Sequence, residues 1–376
     1  MQLSVIILNY NVRYFLEQCV LSVQKALENI EGEIIVIDNA SSDDSCEMMK
    51  TKFPQIKLIE NKDNLGFPKG NNIGVAEAKG EYICILNPDT VVAEDTFLKV
   101  IARYEAISSN TGIIGCKLID GSGNFLPESK RGVPTPWVAF TKIFGLYKIF
   151  PKVNLFNKYY AQHITENESG NVDILVGAFM MMKRDLYLEV GGFDENCFMY
   201  SDDIDLSYLV LKTGKKNYYF HETSVIHYKG ESTVRDGTYM KRFREAMQFF
   251  YKKHFKKSFV FDVMMQVGSF AFSLLKKNQQ KNSVREIDTY FVFTKSNLEL
   301  KLSKKATYLS DFNDFVNQPQ KSIEIIFDTT TFSFTEIITF MQSNKSNNLS
   351  FKNYLASSEF IIGSNNSNDR GQIILL

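Results

Sequence analysis

Over residues 1–90, short runs of aliphatic and β-branched residues alternate with stretches whose apolar positions recur every three to four residues. Leu3 to Leu8 is one such run. Leu16, Cys19, Val20, Val23 and Leu27 then fall on one face of a helix. Ile34 to Ile37 reads as a second strand, and "SSDDS" (Ser41 to Ser45) offers caps for a helix that must stop before Pro54. Ile56 to Ile59 and Tyr82 to Leu86 supply strands three and four. Because strand-helix-strand units close right-handed and put their helices over the sheet, this order predicts an α/β fold: a parallel sheet with helices on both faces.

Open sheets of this kind bind ligands at the carboxyl ends of their strands. Those ends are polar here: Asn9-Tyr10-Asn11, Asp38-Asn39, Asn61, and Asn87-Pro88-Asp89-Thr90. A carboxylate turned outward by a proline-containing bend suits a hard divalent cation whose other ligand is a phosphate, although Asp89 would serve equally as a helix cap. Asp38 stands where nucleotide-binding sheets place an acid toward a ribose or base; it would also suit the start of the Ser-rich turn. "NLGFPKGNNIG" (Asn64 to Gly74) brings three glycines, asparagines and Lys69 to the third helix, a composition suited to close backbone approach and to phosphate. It matches neither GxxxxGK nor GxGxxG, so P-loop enzymes and nicotinamide-dependent dehydrogenases lack their fingerprint.

After about residue 112 the alternation stops. A hairpin is expected around Asp120 to Asn124, an aromatic and lysine-rich stretch spans Trp137 to Tyr160, and a strand through Met182 leads into a short helix stopped by Gly191-Gly192. "MYSDDIDLSYLVLKTG" (Met199 to Gly214) crowds Asp202, Asp203 and Asp205 at the start of an otherwise apolar helix. Helix capping accounts for one of them, Asp202 or Asp203, and does not need three. Lys241 to Lys257 is strongly basic, and in Ser258 to Lys277 the polar residues Asp262, Gln266, Ser269 and Ser273 line one stripe of an apolar helix. That pair of features suits a membrane surface, or packing against the rest of the protein. The expected division is a catalytic domain at 1–257, an amphipathic helix and linker at 258–283, and a small α/β unit at 284–376 with strands at Tyr290–Phe293, Ile323–Phe327 and Phe360–Ile362.

Lys plus Arg and Asp plus Glu balance at 43 each, so no global field argues for nucleic acid as partner. Five dispersed cysteines without a CxxC fit neither a disulfide framework nor a zinc site, and a reducing cytoplasm is the expected home. The N-terminus has no basic region before its short apolar run, unlike a signal peptide.

Taken together, "VIILNYN", "IDNASSDDS", "NLGFPKGNNIG", "LNPDT", "GAFMMMKRDLYLEVGGFDE", "MYSDDIDLSYLVLKTG" and "VIHYKGEST" resemble, in order and over about residues 3 to 235, the GT-A-type inverting glycosyltransferases of family two, particularly its rhamnosyltransferase-like members. The resemblance implies a Rossmann-like nucleotide-diphospho-sugar transferase domain that moves a sugar, with rhamnose the family-weighted guess, from a nucleotide-diphosphate donor to a glycan or lipid-linked acceptor in cell-surface polysaccharide synthesis. It implies a donor pocket drawn from Asn9, Asn11, Asp38, Asn39, Asn64, Gly66, Lys69, Asn71, Asn87 and Asp89. Asp89 stands in the place of the metal-binding acid of a DxD-type motif, here reduced to Asn87-Pro88-Asp89, with His227 completing the shell of Mg2+ or Mn2+. Asp203 is implied as general base, supported by Asp202 and Asp205; Asp202 replaces the usual Glu. The implied location is the inner face of the cell membrane, as a cytoplasmic, peripheral protein. Two other readings compete. A sugar nucleotidyltransferase would want a glycine-rich, basic triphosphate loop that "LNYNVRYF" does not resemble. An inactive glycan-binding scaffold is opposed by the retention of Asp38, Asp89 and Asp203 but kept open by the reduced motif.

Overall fold

The computed structural model describes residues 1–107, 109–150, 153, 155–228, 237–255, 286–364 and 371–376. The amphipathic helix expected at 258–283, the basic residues Lys256 and Lys257, and most of the polar loop before Gly371 lie outside the described residues.

The first four strands, β1 (Leu3–Asn9), β2 (Gly32–Asp38), β3 (Lys57–Glu60) and β4 (Tyr82–Leu86), pair in parallel in the order β3-β2-β1-β4. Helices α1 (Arg13–Ala26), α2 (Ser45–Lys52) and α3 (Gly66–Ala76) make the crossovers. Successive side chains of a strand point to opposite faces, and here both are buried. Leu3, Val5 and Ile7 of β1 pack with Leu16, Cys19, Val20 and Val23 of α1, while Ile6 and Leu8 pack with Val75 of α3 on the other side. The continuous aliphatic runs follow from that double burial.

Beyond β4 the sheet becomes mixed. The next elements are β5 (Thr90–Val91), α4 (Thr96–Ala106), β6 (Thr111–Ile119), α5 (Pro136–Ile143), α6 (Leu146–Ile149), β7 (Gly170–Val172), β8 (Phe179–Lys183), α7 (Arg184–Glu189), α8 (Asp202–Lys212), β9 (Lys216–His227) and α9 (Gly237–His254). β8 inserts antiparallel between β4 and β6, with Leu86 opposite Phe179. A reversed strand brings its entry to the edge where its parallel neighbours exit, so residues 177 and 178 lie at the carboxyl end of β4. β9 runs parallel to β6 and antiparallel to β5, which sets His227 opposite Thr90. The hairpin after β6 forms as expected, with the Asp120 carboxylate accepting from the Ser122 and Asn124 N–H groups.

The tail forms a second sheet, ordered β11 (Ala306–Leu309), β10 (Thr289–Phe293), β12 (Ile323–Asp328), β13 (Leu349–Leu355), β14 (Phe360–Ser364) and β15 (Gln372–Leu375). One helix, α10 (Phe334–Ser343), joins β12 to β13. The two sheets share a core: Val12 and Phe15 near the start of α1, Val91, Ile119, Ile226 and Tyr228 pack with Phe293, Phe327, Phe334 and Ile338. Gly123, at φ +80°, belongs to this contact, because a Cβ there would stand 2.4 Å from the Met341 carbonyl oxygen.

Glu94, in the loop after β5, reaches across to α10 and accepts from the backbone N–H groups of Phe334 (2.7 Å) and Thr335 (2.8 Å). A carboxylate there satisfies orphan donors and meets the positive end of the helix dipole. Glu94→Ala should therefore lower unfolding free energy by about 1–2 kcal/mol, measured by urea denaturation at neutral pH. An unchanged midpoint and slope would remove this contact from the set that holds the tail.

Candidate functional site

Asn9 and Asp38 end adjacent parallel strands and are paired in register, so their side chains meet. Asn9 Nδ2 donates to Asp38 Oδ1 (2.8 Å) and to Ser41 Oγ (3.1 Å), while the Ser41 N–H and hydroxyl donate back to Asp38. A carboxylate offers about four acceptor positions. Three are taken, and the remaining one is on Oδ2. Asn11, at φ 56°, accepts from the N–H and hydroxyl of Ser42, tying the β1 loop to the β2 loop. Asn39 donates to Asn64 Oδ1 and to the Gly66 carbonyl, which carries the network to the start of α3. Gly66 sits at φ +81°, where a Cβ would collide with the Phe198 backbone and ring, so only glycine lets α3 start against that loop. Lys69 is exposed in the first turns of α3, and Asn71 is fully buried with its amide donating to the Phe67 carbonyl.

On the neighbouring strand ends, Asn87, Asp89 and His227 come together. His227 Nε2 lies 3.4 Å from Asp89 Oδ1 and 3.4 Å from Asn87 Nδ2, and both Asp89 and His227 are buried. Among the described residues no cluster of three or more His, Cys, Asp or Glu could hold a metal. The pair nonetheless fits a cation. Two neighbouring ligand atoms on an octahedral ion bound at about 2.1 Å lie about 3 Å apart, close to what is seen. Four buried polar atoms along this edge have no partner: Asn9 Oδ1, Asn71 Oδ1, Asn87 Oδ1 and His227 Nδ1. Burying an unsatisfied polar atom costs about 1–3 kcal/mol, so a ligand that bonded these four atoms would recover that cost.

The acids after Met199 occupy the first turn of α8, and none of them is the N-cap, contrary to the capping expectation. Ser201 holds that position, without a side-chain bond to the helix. Asp203 Oδ2 accepts from Arg131 Nη2 (2.6 Å) and from the Gly177 N–H (3.1 Å). Burial alone would pull the Arg131 guanidinium down, but the adjacent Asp203 charge and its hydrogen bond push it up, so the guanidinium stays charged. Asp202 behaves differently. Burial, then the charge of Asp203 beside it, push its carboxyl up to about 7. Asp205 is committed to α9, accepting from Lys253 Nζ (2.7 Å) and facing His254 Nε2 (2.5 Å); Lys253 also reaches Asp194. Two members of the basic run, Lys253 and His254, thus bind carboxylates of the catalytic half.

Two consecutive residues join these groups. Gly177 donates its N–H to Asp203, and the Ala178 carbonyl accepts from the Asn87 N–H (3.1 Å). A Cβ on Gly177 would touch both Asp203 and Phe67 at 3.5 Å, so the start of α3 adjoins the same point. The acids at 38, 89 and 203 are therefore linked through one short network: Asp38 bonds Asn9 on the neighbouring strand, Asn39 bonds Gly66, Phe67 abuts Gly177, and Ala178 bonds Asn87. Sequence reasoning missed Arg131, Gly177 and Ser41. Arg131 is marked only by a cation beside Gly132, and Ser41 was read as a cap where it serves as a cross-link. A cavity of about 500 Å3 bounded by Tyr82, Thr111, Lys183 and Lys215 opens at the opposite, amino-terminal edge of β4 and β6, away from these groups.

Residues 4–191 match the family described as "Glycosyl transferase family 2". The chain is 26% identical over 248 residues to the N-acetylglucosaminyl-diphospho-decaprenol L-rhamnosyltransferase of Mycobacterium tuberculosis, covering 62% of this chain and 78% of that protein. It is 29% identical over 221 residues to the rhamnosyltransferase WbbL of Escherichia coli K12, covering 55% and 78%. A mannosyltransferase of Pyrobaculum calidifontis, solved with GDP-Man and Mn2+, aligns at TM-score 0.47 and 17% identity over 72% of this chain and 69% of that one.

The Asp202 environment gives a pH dependence. From the ordinary carboxylate range up to about 7, folded Asp202 holds a proton that the unfolded chain releases, so stability falls as pH rises through that window. Asp202→Asn removes this slope. Its melting temperature relative to wild type should rise from about pH 5 to about pH 8, read by differential scanning calorimetry, and a pH-independent difference would contradict the burial argument.

Proposed function

The chain belongs to glycosyl transferase family 2 and is a glycosyltransferase, and we propose that it transfers a rhamnosyl group, with inversion, from a nucleotide-diphosphate donor to a hydroxyl of a lipid-linked glycan. The sugar and the acceptor class are carried from the rhamnosyltransferase relatives, one of which is named for a diphospho-decaprenol acceptor. The reaction then belongs to cell-surface polysaccharide synthesis at the inner face of the membrane. One observation supports the site assignment above the others. Gly177 and Ala178 hold the Asp203 carboxylate and the Asn87-Pro88-Asp89 turn through the backbone of consecutive residues.

In this reading the acceptor hydroxyl attacks the anomeric carbon as Asp203 takes its proton. The new carbon–oxygen bond forms while the bond to the donor phosphate breaks on the opposite face, so the nucleotide diphosphate leaves and the configuration inverts. Arg131 and the Gly177 N–H both bond Asp203 Oδ2, which orients the carboxylate and leaves Oδ1 for the proton. Asp202, pushed up to about 7 by burial and by the Asp203 charge, keeps a second full charge from crowding the base. Asn9, Asn39 and Asp38 line the nucleoside side, joined by Asn11, Asn64 and Gly66 through the loop network, with Lys69 and Asn71 on α3. A divalent cation, Mg2+ or Mn2+, held by Asp89 and His227, would neutralise charge on the leaving diphosphate.

Asp203→Asn should lower kcat by about 10²–10⁴ and leave donor affinity nearly unchanged, measured by transfer assay and calorimetry with the nucleotide diphosphate. Wild-type turnover in that variant would remove Asp203 from the chemistry. Asp89→Ala should abolish the increase in nucleotide-diphosphate affinity produced by Mg2+ or Mn2+ in thermal-shift titration; a retained increase would place the cation elsewhere.

A further inference from the structure

Six of the fifteen exposed large apolar side chains among the described residues fall within one short stretch: Trp137, Phe144, Ile149, Phe150, Val153 and Leu155. Thr135 caps α5 and Pro136 starts it, so the helix is fixed at its root. A turn at Gly145, φ +69°, redirects the chain, and the indole N–H of Trp137 donates to the Leu155 carbonyl (2.9 Å), folding the end of the segment back onto α5. Trp137 stacks on Phe140 at 5.5 Å, Phe140 contacts Phe144, and Phe156 contacts both Trp137 and Phe150. The aromatic rings therefore organise one another while remaining open to solvent. Ile149, at 65% exposure, is the most accessible of the six.

Charge around this patch is one-sided. Between Glu128 and Glu166 the sequence has no carboxylate, and it carries Lys130, Arg131, Lys142, Lys148, Lys152 and Lys158. Lys130 is turned inward onto backbone carbonyls and Arg131 onto Asp203, whereas Lys148 and Lys158 are exposed. Exposed aromatic and aliphatic side chains flanked by the exposed Lys148 and Lys158 complement an anionic bilayer surface: rings settle at the headgroup level and ammonium groups meet the phosphates.

We propose that the α5–α6 segment, residues 136–150 with Val153, Leu155 and Phe156, is the surface by which this enzyme docks on an anionic phospholipid bilayer. The inference rests on the lipid-linked acceptor proposed above and names what presents it. The segment is rigidly placed relative to the base: Arg131, a short step before α5, bonds Asp203, and Ala139 of α5 packs with Ile204 of α8. Docking by this face sets the acceptor side of the site against the bilayer, where a hydroxyl carried on a membrane-anchored diphosphate would be found.

Trp137 is the single tryptophan of the chain, so its emission reports this patch alone. Full-length wild-type protein is mixed with phosphatidylcholine vesicles with and without phosphatidylglycerol, in the absence of donor and acceptor. The expected result is flotation with the anionic vesicles, a blue shift of Trp137 emission and its quenching by brominated lipid. Ile149→Ser with Phe150→Ser, and separately Lys148→Glu with Lys158→Glu, should lower the partition coefficient by about tenfold or more without changing nucleotide-diphosphate affinity. Flotation with unchanged Trp137 emission would assign membrane contact to another surface, and absence of flotation would overturn the proposal. So would vesicle-free self-association, seen by analytical ultracentrifugation, that Ile149→Ser and Phe150→Ser abolish, because the patch would then be a contact between two copies. Vesicle binding by a protein that transfers no sugar would overturn the functional reading and support the surface. Transfer to a water-soluble acceptor without vesicle binding would do the reverse.

Discussion

The peptide groups at Gly177 and Ala178 are the joint on which the site depends. One donates to Asp203 on α8, the next accepts from Asn87 at the end of β4, and neither bond involves a side chain of the joint itself. Backbone groups in the turn that leads directly into a strand have fewer degrees of freedom than a flexible side chain, so they define position more closely. Phe67 and Asp203 approach Gly177 from two sides, at van der Waals distance from where a Cβ would stand. The reversal of β8 makes the joint: had β8 run parallel to β4, its entry would lie at the far edge of the sheet.

Electrostatics around α8 follow from three acids in unlike surroundings. Asp203 has Arg131, Asp205 has Lys253 and His254, and Asp202 has little beyond backbone N–H groups. A buried ion pair contributes little net stability but is costly to break, because the abandoned charge remains out of water. The pairs at 203 and 205 thus serve orientation, one of the carboxylate and one of α9 against α8.

The parallel half was legible because double burial writes continuous aliphatic runs, and Tyr82–Leu86 emerges with the bounds read from the sequence. The strand-end polar residues were legible for the same reason, since strand ends locate the ligand edge. What remained hidden arises from long-range pairing. β9 brings His227 opposite Thr90 across more than a hundred residues, and only the family resemblance pointed to it. "FMMMK" reads as a buried strand, but its direction is not encoded in periodicity, so the joint at 177 and 178 could not be seen. Arg131 was missed because an ion pair leaves no local pattern. The strands of the tail showed as β-branched and aromatic runs, whereas its common core with α1 and β9 depends on which faces meet.

That common core has a consequence for how the protein tolerates change. Phe15 and Val12 lie just behind the Asn9–Asn11 loop, in a cluster they share with Val91, Ile226 and Tyr228 and with side chains of the tail. The loop proposed to face the nucleoside is therefore buttressed in part by residues nearly three hundred positions downstream. A deletion that spared every polar group at the strand ends but removed the tail would leave this loop backed by water, turning a preorganised pocket into one that each incoming ligand must assemble.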